Sequence, residues 1–138
     1  MKNKNIVITG GCGFIGSNIA EYLSNYNNVT IIDNLSTGKK ENIKGINATF
    51  VKGDINDSNL LSEIFKDIDY VFHLAAIPSV PRSVKDPITT NNANINGTLN
   101  ILSVAKNTEV KKIIYSSSSS VYGDTPTLPK KENMKPCP

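Results

Sequence analysis

Residues Ile6-Val7-Ile8-Thr9-Gly10-Gly11-Cys12-Gly13-Phe14-Ile15-Gly16-Ser17 run from an apolar strand pattern into a turn with glycines at 10, 13 and 16. An amphipathic helix pattern follows over about residues 14–25. In a strand–turn–helix of this spacing, Gly10 takes the tight turn and Gly13 keeps a Cβ out of the way of a ligand. Gly16 lets the helix close on the strand. The helix N-terminus then offers unpaired N–H groups and a positive dipole end to a pyrophosphate. The pattern therefore predicts a dinucleotide site.

Glycine spacing alone is equally a flexible loop. A second apolar strand, Val29-Thr30-Ile31-Ile32, argues for the site because it ends in Asp33. That position fits an acid about 20 residues beyond the glycines that bonds the adenosine ribose hydroxyls. An Asp at a strand end is also a common turn residue or helix cap. If Asp33 faces the ribose, its charge repels a 2′-phosphate, so the cofactor expected is NAD and not NADP. Lys39 and Lys40 read as solvated loop charges.

Strand patterns recur at about 5–9, 29–32, 48–51, 69–73 and 111–116, and helix patterns at about 14–25, 57–66 and 86–107. Asp57 suits an N-cap ahead of Leu60, Leu61, Ile64 and Phe65, and Pro87 suits the first turn of the long helix. The apolar face expected for that helix is Ile95, Leu99, Leu102 and Ala105. Alternating strands and helices predict an α/β fold: a Rossmann-type doubly wound parallel sheet with helices on both faces. Ligands of such sheets sit at the carboxyl ends of the strands. The polar motifs Gly10–Gly16, Asp33, Gly53-Asp54-Ile55, His73-Leu74-Ala75-Ala76 and Ser116–Ser120 all fall there.

At 138 residues the chain is long enough for one domain with one core. Its net charge of +3 is spread along the sequence without a basic, aromatic-laced stripe, so nucleic acid is not an expected partner. No apolar run reaches the length of a membrane span, and the N-terminus carries no signal-peptide pattern. Cys12 and Cys137 form neither a metal-ligand spacing nor a disulfide framework, so no metal is expected and the cytoplasm is the compartment predicted. His73, the single histidine, follows an apolar strand and reads as a structural strand-end residue. The serine run 116–120 is either low-complexity linker or a hydroxyl cluster facing the cleft. A serine there is a weak base without a partner of lowered pKa.

Taken together, these residues resemble the extended short-chain dehydrogenase/reductase family, and within it the nucleotide-sugar 4-epimerases. The resemblance rests on Thr9–Gly16, Asp33–Gly38, Gly53–Ile55, His73–Ala76, Asn94–Thr98 and Ser118–Gly123, in family order along the whole chain. It implies that Gly10, Gly13, Phe14, Ile15 and Gly16 hold the pyrophosphate of NAD. It assigns Asp33 and Asn34 to the ribose, Asp54 and Ile55 to the adenine, and Ala75 and Ala76 to the cofactor path. Asn94 resembles the family's helix asparagine near the active site, and is otherwise an ordinary polar helix residue.

Ser118 aligns with the family's catalytic serine or threonine. Serines at 119 and 120, where family dehydratases and decarboxylases usually carry an acid, point away from elimination. Ala76–Ser83 resembles epimerases of N-acetylated UDP-hexoses, which puts Ser79 and Val80 near the sugar; Pro78 and Pro81 otherwise simply shape a loop. The substrate implied is a UDP-hexose, inverted at C4 by transient hydride transfer to NAD. UDP-glucuronate epimerases have a similar serine run, so the sugar stays open. The family commonly forms homodimers through two helices, of which 86–107 is a candidate.

One departure matters. The family's base is a tyrosine in Tyr-x-x-x-Lys, and none of the five tyrosines here has lysine at that spacing. The family places that pair just after a proline-rich stretch like Lys135-Pro136-Cys137-Pro138. The expectation is an N-terminal fragment, ending before the C-terminal substrate lobe, or else a nucleotide-binding half-domain without catalysis.

Overall fold

A computed structural model describes residues 1–138, apart from the side chain of Ser119. Five parallel strands, β1 (Asn5–Thr9), β2 (Asn28–Asp33), β3 (Thr49–Lys52), β4 (Tyr70–His73) and β5 (Lys112–Tyr115), form one sheet in the order β3-β2-β1-β4-β5. This is the Rossmann-type doubly wound sheet the alternation predicted. Ile6, Val7 and Ile8 of central β1 are wholly buried, as a strand covered on both faces requires. Side chains alternate across it. Ile6 and Ile8 join α1 (Phe14–Ser24) through Ala20 and Leu23, while Val7 joins Leu61, Ile101 and Val104 on the other face. The chain leaves β1 toward β2 on one side and returns through β4 on the other. That reversal opens a crevice at the carboxyl end of β1.

Asp57 caps α2 (Ser58–Ile64) as expected, its side chain accepting from the Leu60 N–H at 3.0 Å. The region between β4 and the long helix departs from expectation. Val80–Lys85 is a short helix, α3, where the sequence reads as a proline-shaped loop. Pro81 sits in its first turn, where a missing N–H costs nothing, and Ser79 caps it.

The long helix spans α4 (Pro87–Asn91), a π-helical segment (Asn92–Asn96) and α5 (Gly97–Lys106) in unbroken succession. Its buried face corrects the face predicted. Leu99 is 62 % exposed, and Ile95 and Leu102 also face outward, whereas Gly97, Ile101, Val104 and Ala105 are buried. Of the four residues expected inside, only Ala105 is. The helix carries two apolar stripes, and polar partners decide between them. Gly97 packs so tightly that a Cβ there would lie 2.4 Å from Ile55 Cδ1. On the same side, Asn100 donates to the Ile55 carbonyl at 2.7 Å and Thr98 reaches His73.

Candidate cofactor-binding site

The crevice holds a cavity of about 400 Å³ at the carboxyl ends of the strands. Gly10, Gly13, Phe14, Ile15 and Gly16 form its floor, Asp33 and Asn34 one side, Asp54 and Ile55 the far end, and Ala75 and Ala76 the opposite wall. With Gly53 after β3 and Ser116 after β5, all five strand ends meet at one hollow.

The glycine turn is built for backbone approach. Gly10 has φ +70°, and a Cβ on it would lie 2.7 Å from Ala75 N. A Cβ on Gly16 would lie 2.4 Å from the Gly10 carbonyl oxygen. No side chain caps α1, whose N-cap is Gly13, and the Ser17 N–H is the first to bond back, to Gly13 O at 3.0 Å. Helix geometry leaves the N–H groups of Phe14, Ile15 and Gly16 without intrahelical acceptors. These donors, with the helix dipole behind them and no acidic residue in the first turn, suit a diphosphate.

Asp33 is buried and braced. Its Oδ2 accepts from the Cys12 N–H at 2.9 Å and its Oδ1 from the Leu35 N–H at 2.8 Å. Each carboxylate oxygen keeps a further lone pair for a ligand hydroxyl. Asn34 donates to Asp54 Oδ2 at 2.8 Å, and Asn56 bonds Oδ1 through both its backbone and its side chain. Burial works to raise the Asp54 carboxyl, but these hydrogen bonds outweigh it and hold it below the ordinary carboxylate range. Burial pushes the Cys12 thiol up to about 11, with the Asp33 charge adding to it. Cys12 is therefore a packed thiol under the turn, not a nucleophile.

Asn94 does not line the cavity. It stands behind the wall, accepting from the Ile77 N–H at 2.8 Å and donating to the Ile77 carbonyl at 3.0 Å. Ser118 and Ser120 are exposed beyond the end of β5, where Ser118 Oγ caps the 3₁₀ turn Ser119–Tyr122 by accepting from the Ser120 N–H at 3.1 Å. Ser79 and Val80 begin α3, outside the cavity lining. The expectation for the Ser119 side chain lies outside the described residues. Among the described residues, no group of acids, histidines and cysteines is placed to hold a metal, and no helix is long and apolar enough to cross a membrane.

Sequence reasoning missed several lining residues: Ile77, Pro78, Ala93 and Ser116. Ala93 and Ile77 come together only through the Asn94 clamp and the π-helical segment, which no local pattern announces. Ser116 was visible within the serine run, where nothing separated it from its neighbours.

The sequence matches the NAD dependent epimerase/dehydratase family over residues 6–138. In fold and sequence the chain resembles a UDP-N-acetylglucosamine 4-epimerase from Methanobrevibacter ruminantium M1, solved in complex with UDP-N-acetylmuramic acid. Identity is 51 % and the TM-score 0.89, covering 100 % of this chain and 45 % of that one. A UDP-glucose 4-epimerase from Bifidobacterium longum, solved in complex with NAD+ and UDP, is 34 % identical with a TM-score of 0.85, covering 96 % of this chain and 42 % of that one. A relative from Methanocaldococcus jannaschii is 45 % identical over 132 residues, which is 93 % of this chain and 43 % of the relative. The chain therefore spans less than half the length of these three proteins.

Proposed function

The chain belongs to the NAD dependent epimerase/dehydratase family, and on that premise we propose that it is the NAD-binding part of a UDP-hexose 4-epimerase. One observation carries the reading: the glycine turn, Asp33, Asp54 and the Ala75–Ala76 wall border a single cavity.

In this reading the N–H groups of Phe14, Ile15 and Gly16 hold the pyrophosphate, with Gly10 and Gly13 keeping the approach clear. Asp33, fixed by Cys12 and Leu35, accepts from the ribose hydroxyls together with Asn34. Asp54 and Ile55 flank the adenine. Ala75 and Ala76 line the path toward the nicotinamide, and Asn94 holds that wall from behind. Bound NAD supplies a reversible hydride acceptor for the sugar C4. Ser118 would hydrogen-bond the sugar hydroxyl, with Ser79, Val80, Ser119 and Ser120 around the hexose. UDP-glucose/UDP-galactose and their N-acetyl forms are the substrates proposed, and the likeness to a UDP-N-acetylglucosamine 4-epimerase supports the latter. The exposed stripe Ile95, Leu99 and Leu102 supports a homodimer of the whole enzyme through this helix.

A second reading also has an observation behind it. The serines of the run stand without a Tyr-x-x-x-Lys base in this sequence, so the 138-residue chain by itself binds NAD without turnover. The test is to express both this chain and the full reading frame that encodes it, and to assay each for interconversion of C4 epimers of the UDP-sugars. The proposal expects turnover from the full frame and none from this chain alone. A full-frame product that binds NAD yet leaves every UDP-hexose unchanged would remove the epimerase assignment.

A further inference from the structure

His73 is the one histidine in the chain, is 2 % exposed, and has both ring nitrogens engaged. Its Nδ1 lies 2.7 Å from Thr9 Oγ1 and its Nε2 lies 2.9 Å from Thr98 Oγ1. The neighbours of the two hydroxyls fix where the protons are. Thr98 Oγ1 donates its only proton to the Asn94 carbonyl at 2.8 Å, so toward His73 it can only accept. Nε2 therefore carries hydrogen. Thr9 Oγ1 accepts from the N–H groups of Leu74 and Ala75, each at 3.3 Å, so its own proton is free to point at Nδ1. Nδ1 is then the acceptor.

The chain of bonds crosses four pieces of structure. It starts at the end of β1, passes through the end of β4 and reaches the long helix at Thr98. From there the Asn94 carbonyl and the Asn94 side chain carry it to Ile77. Both ends of this chain of bonds fall on the Leu74–Ile77 segment, the wall of the cavity: Thr9 Oγ1 at Leu74 and Ala75, and Asn94 at Ile77. The bond to Asn94 runs from α5 back into the π-helical segment, a rare helix form frequent at functional sites.

We propose that Thr9 and Thr98 hold His73 permanently as the neutral Nε2–H tautomer, and that His73 acts through them as the positioning residue for the Leu74–Ile77 wall. This deepens the cofactor reading above and rests on it for the identity of the ligand. A second proton on Nδ1 would face the Thr9 hydroxyl hydrogen, and with that hydrogen turned away Oγ1 would have to accept from the imidazole as well as from Leu74 and Ala75, one donor more than its two lone pairs serve. Burial acts in the same direction, pushing the imidazole down to about 4. The titratable group packed against the ring is Tyr115, at 5.7 Å between ring centres. The wall therefore stays uncharged and fixed across physiological pH.

A single histidine makes the test direct. Long-range proton–nitrogen NMR of the chain, from about pH 8 to about pH 5, reads one imidazole. The expected spectrum has a protonated Nε2 and an unprotonated Nδ1, unchanged over that range. An Nδ1–H tautomer, or titration near the ordinary histidine value, overturns the proposal.

Thr98→Val removes the acceptor at Nε2 while keeping the side-chain shape. It should speed hydrogen exchange at the Ala75 and Ile77 amides and weaken NAD binding about tenfold. Thr98→Ser should restore both. Ser103→Ala is the control: Ser103 makes the same kind of bond, to the Leu99 carbonyl, on the outer face of the helix. Unchanged amide exchange in a folded Thr98→Val overturns the positioning role. If the unmodified chain does not bind NAD, the cofactor reading fails, while the spectrum and the exchange rates still decide this proposal.

Discussion

The backbone N–H of Cys12 donates to Asp33 Oδ2 at 2.9 Å, tying the glycine turn after β1 to the end of β2. One carboxylate thus sets the turn and faces the cavity. Asp33→Asn keeps the shape but replaces a charged acceptor with an amide whose NH₂ can oppose the Cys12 or Leu35 N–H. The expected loss is about 2 kcal/mol, the range for a bond to a charged group. Urea denaturation at neutral pH measures it, and a loss below about 0.5 kcal/mol would show that the brace is not needed.

Gly16→Ala tests the tightness of the turn. The added Cβ would meet Gly10 O at 2.4 Å and Gly11 Cα at 2.7 Å, both backbone atoms. Backbone cannot swing aside as a side chain does, so the floor of the cavity must deform. A destabilisation of about 1–3 kcal/mol is expected. Cofactor affinity should fall with it, measured by thermal shift with and without NAD.

Strand and helix positions were legible because their signals are local. Ile6–Thr9 is an apolar run closed by glycine, and Asp57 precedes a helical spacing of leucines. The cavity-lining glycines of the turn and Asp33 were legible for the same reason: the turn and the next strand end belong to one local strand–turn–helix–strand motif. The long helix shows where this stops. Both Ile95/Leu99/Leu102 and Ile101/Val104/Ala105 make an apolar stripe, and periodicity has no means of ranking them. The choice depends on Gly97 meeting Ile55, Thr98 meeting His73 and Asn94 meeting Ile77, contacts across the fold. Helix α3 was hidden for another reason. Two prolines read as breakers, although Pro81 stands in the first turn where proline is tolerated.

The helix face gives its own prediction. Ile101→Ala should cost about 3 kcal/mol, as for other buried isoleucines, because Ile101 is wholly buried. Leu99→Ala, at an exposed position, should stay within about 0.5 kcal/mol in the isolated chain. Equilibrium unfolding of both variants checks this, and the reverse order would restore the face first predicted from periodicity.

Acid should weaken the fold in two steps. His73 binds its proton at about 4 when folded but near 6.5 when unfolded, so between those values the unfolded chain holds more protons. Its contribution is fully present above about pH 6.5 and is lost as pH falls toward 4, on the order of 3 kcal/mol in all. Asp54, held below its ordinary value, adds a separate loss that sets in only below about pH 4. Stability measured by urea unfolding should therefore already decline between pH 6.5 and 5, and His73→Gln should flatten that part of the curve. A flat wild-type curve over that interval would contradict the burial argument.

The account depends most on the cavity being a NAD site. Calorimetric titration of the 138-residue chain with NAD tests this without requiring turnover. The predicted result is saturable binding at one site per chain, weakened at least tenfold by Asp33→Ala and weaker still for NADP, whose 2′-phosphate meets the same carboxylate. Absence of binding at millimolar NAD by a folded chain, or equal affinity for NAD and NADP that Asp33→Ala leaves unchanged, would contradict it.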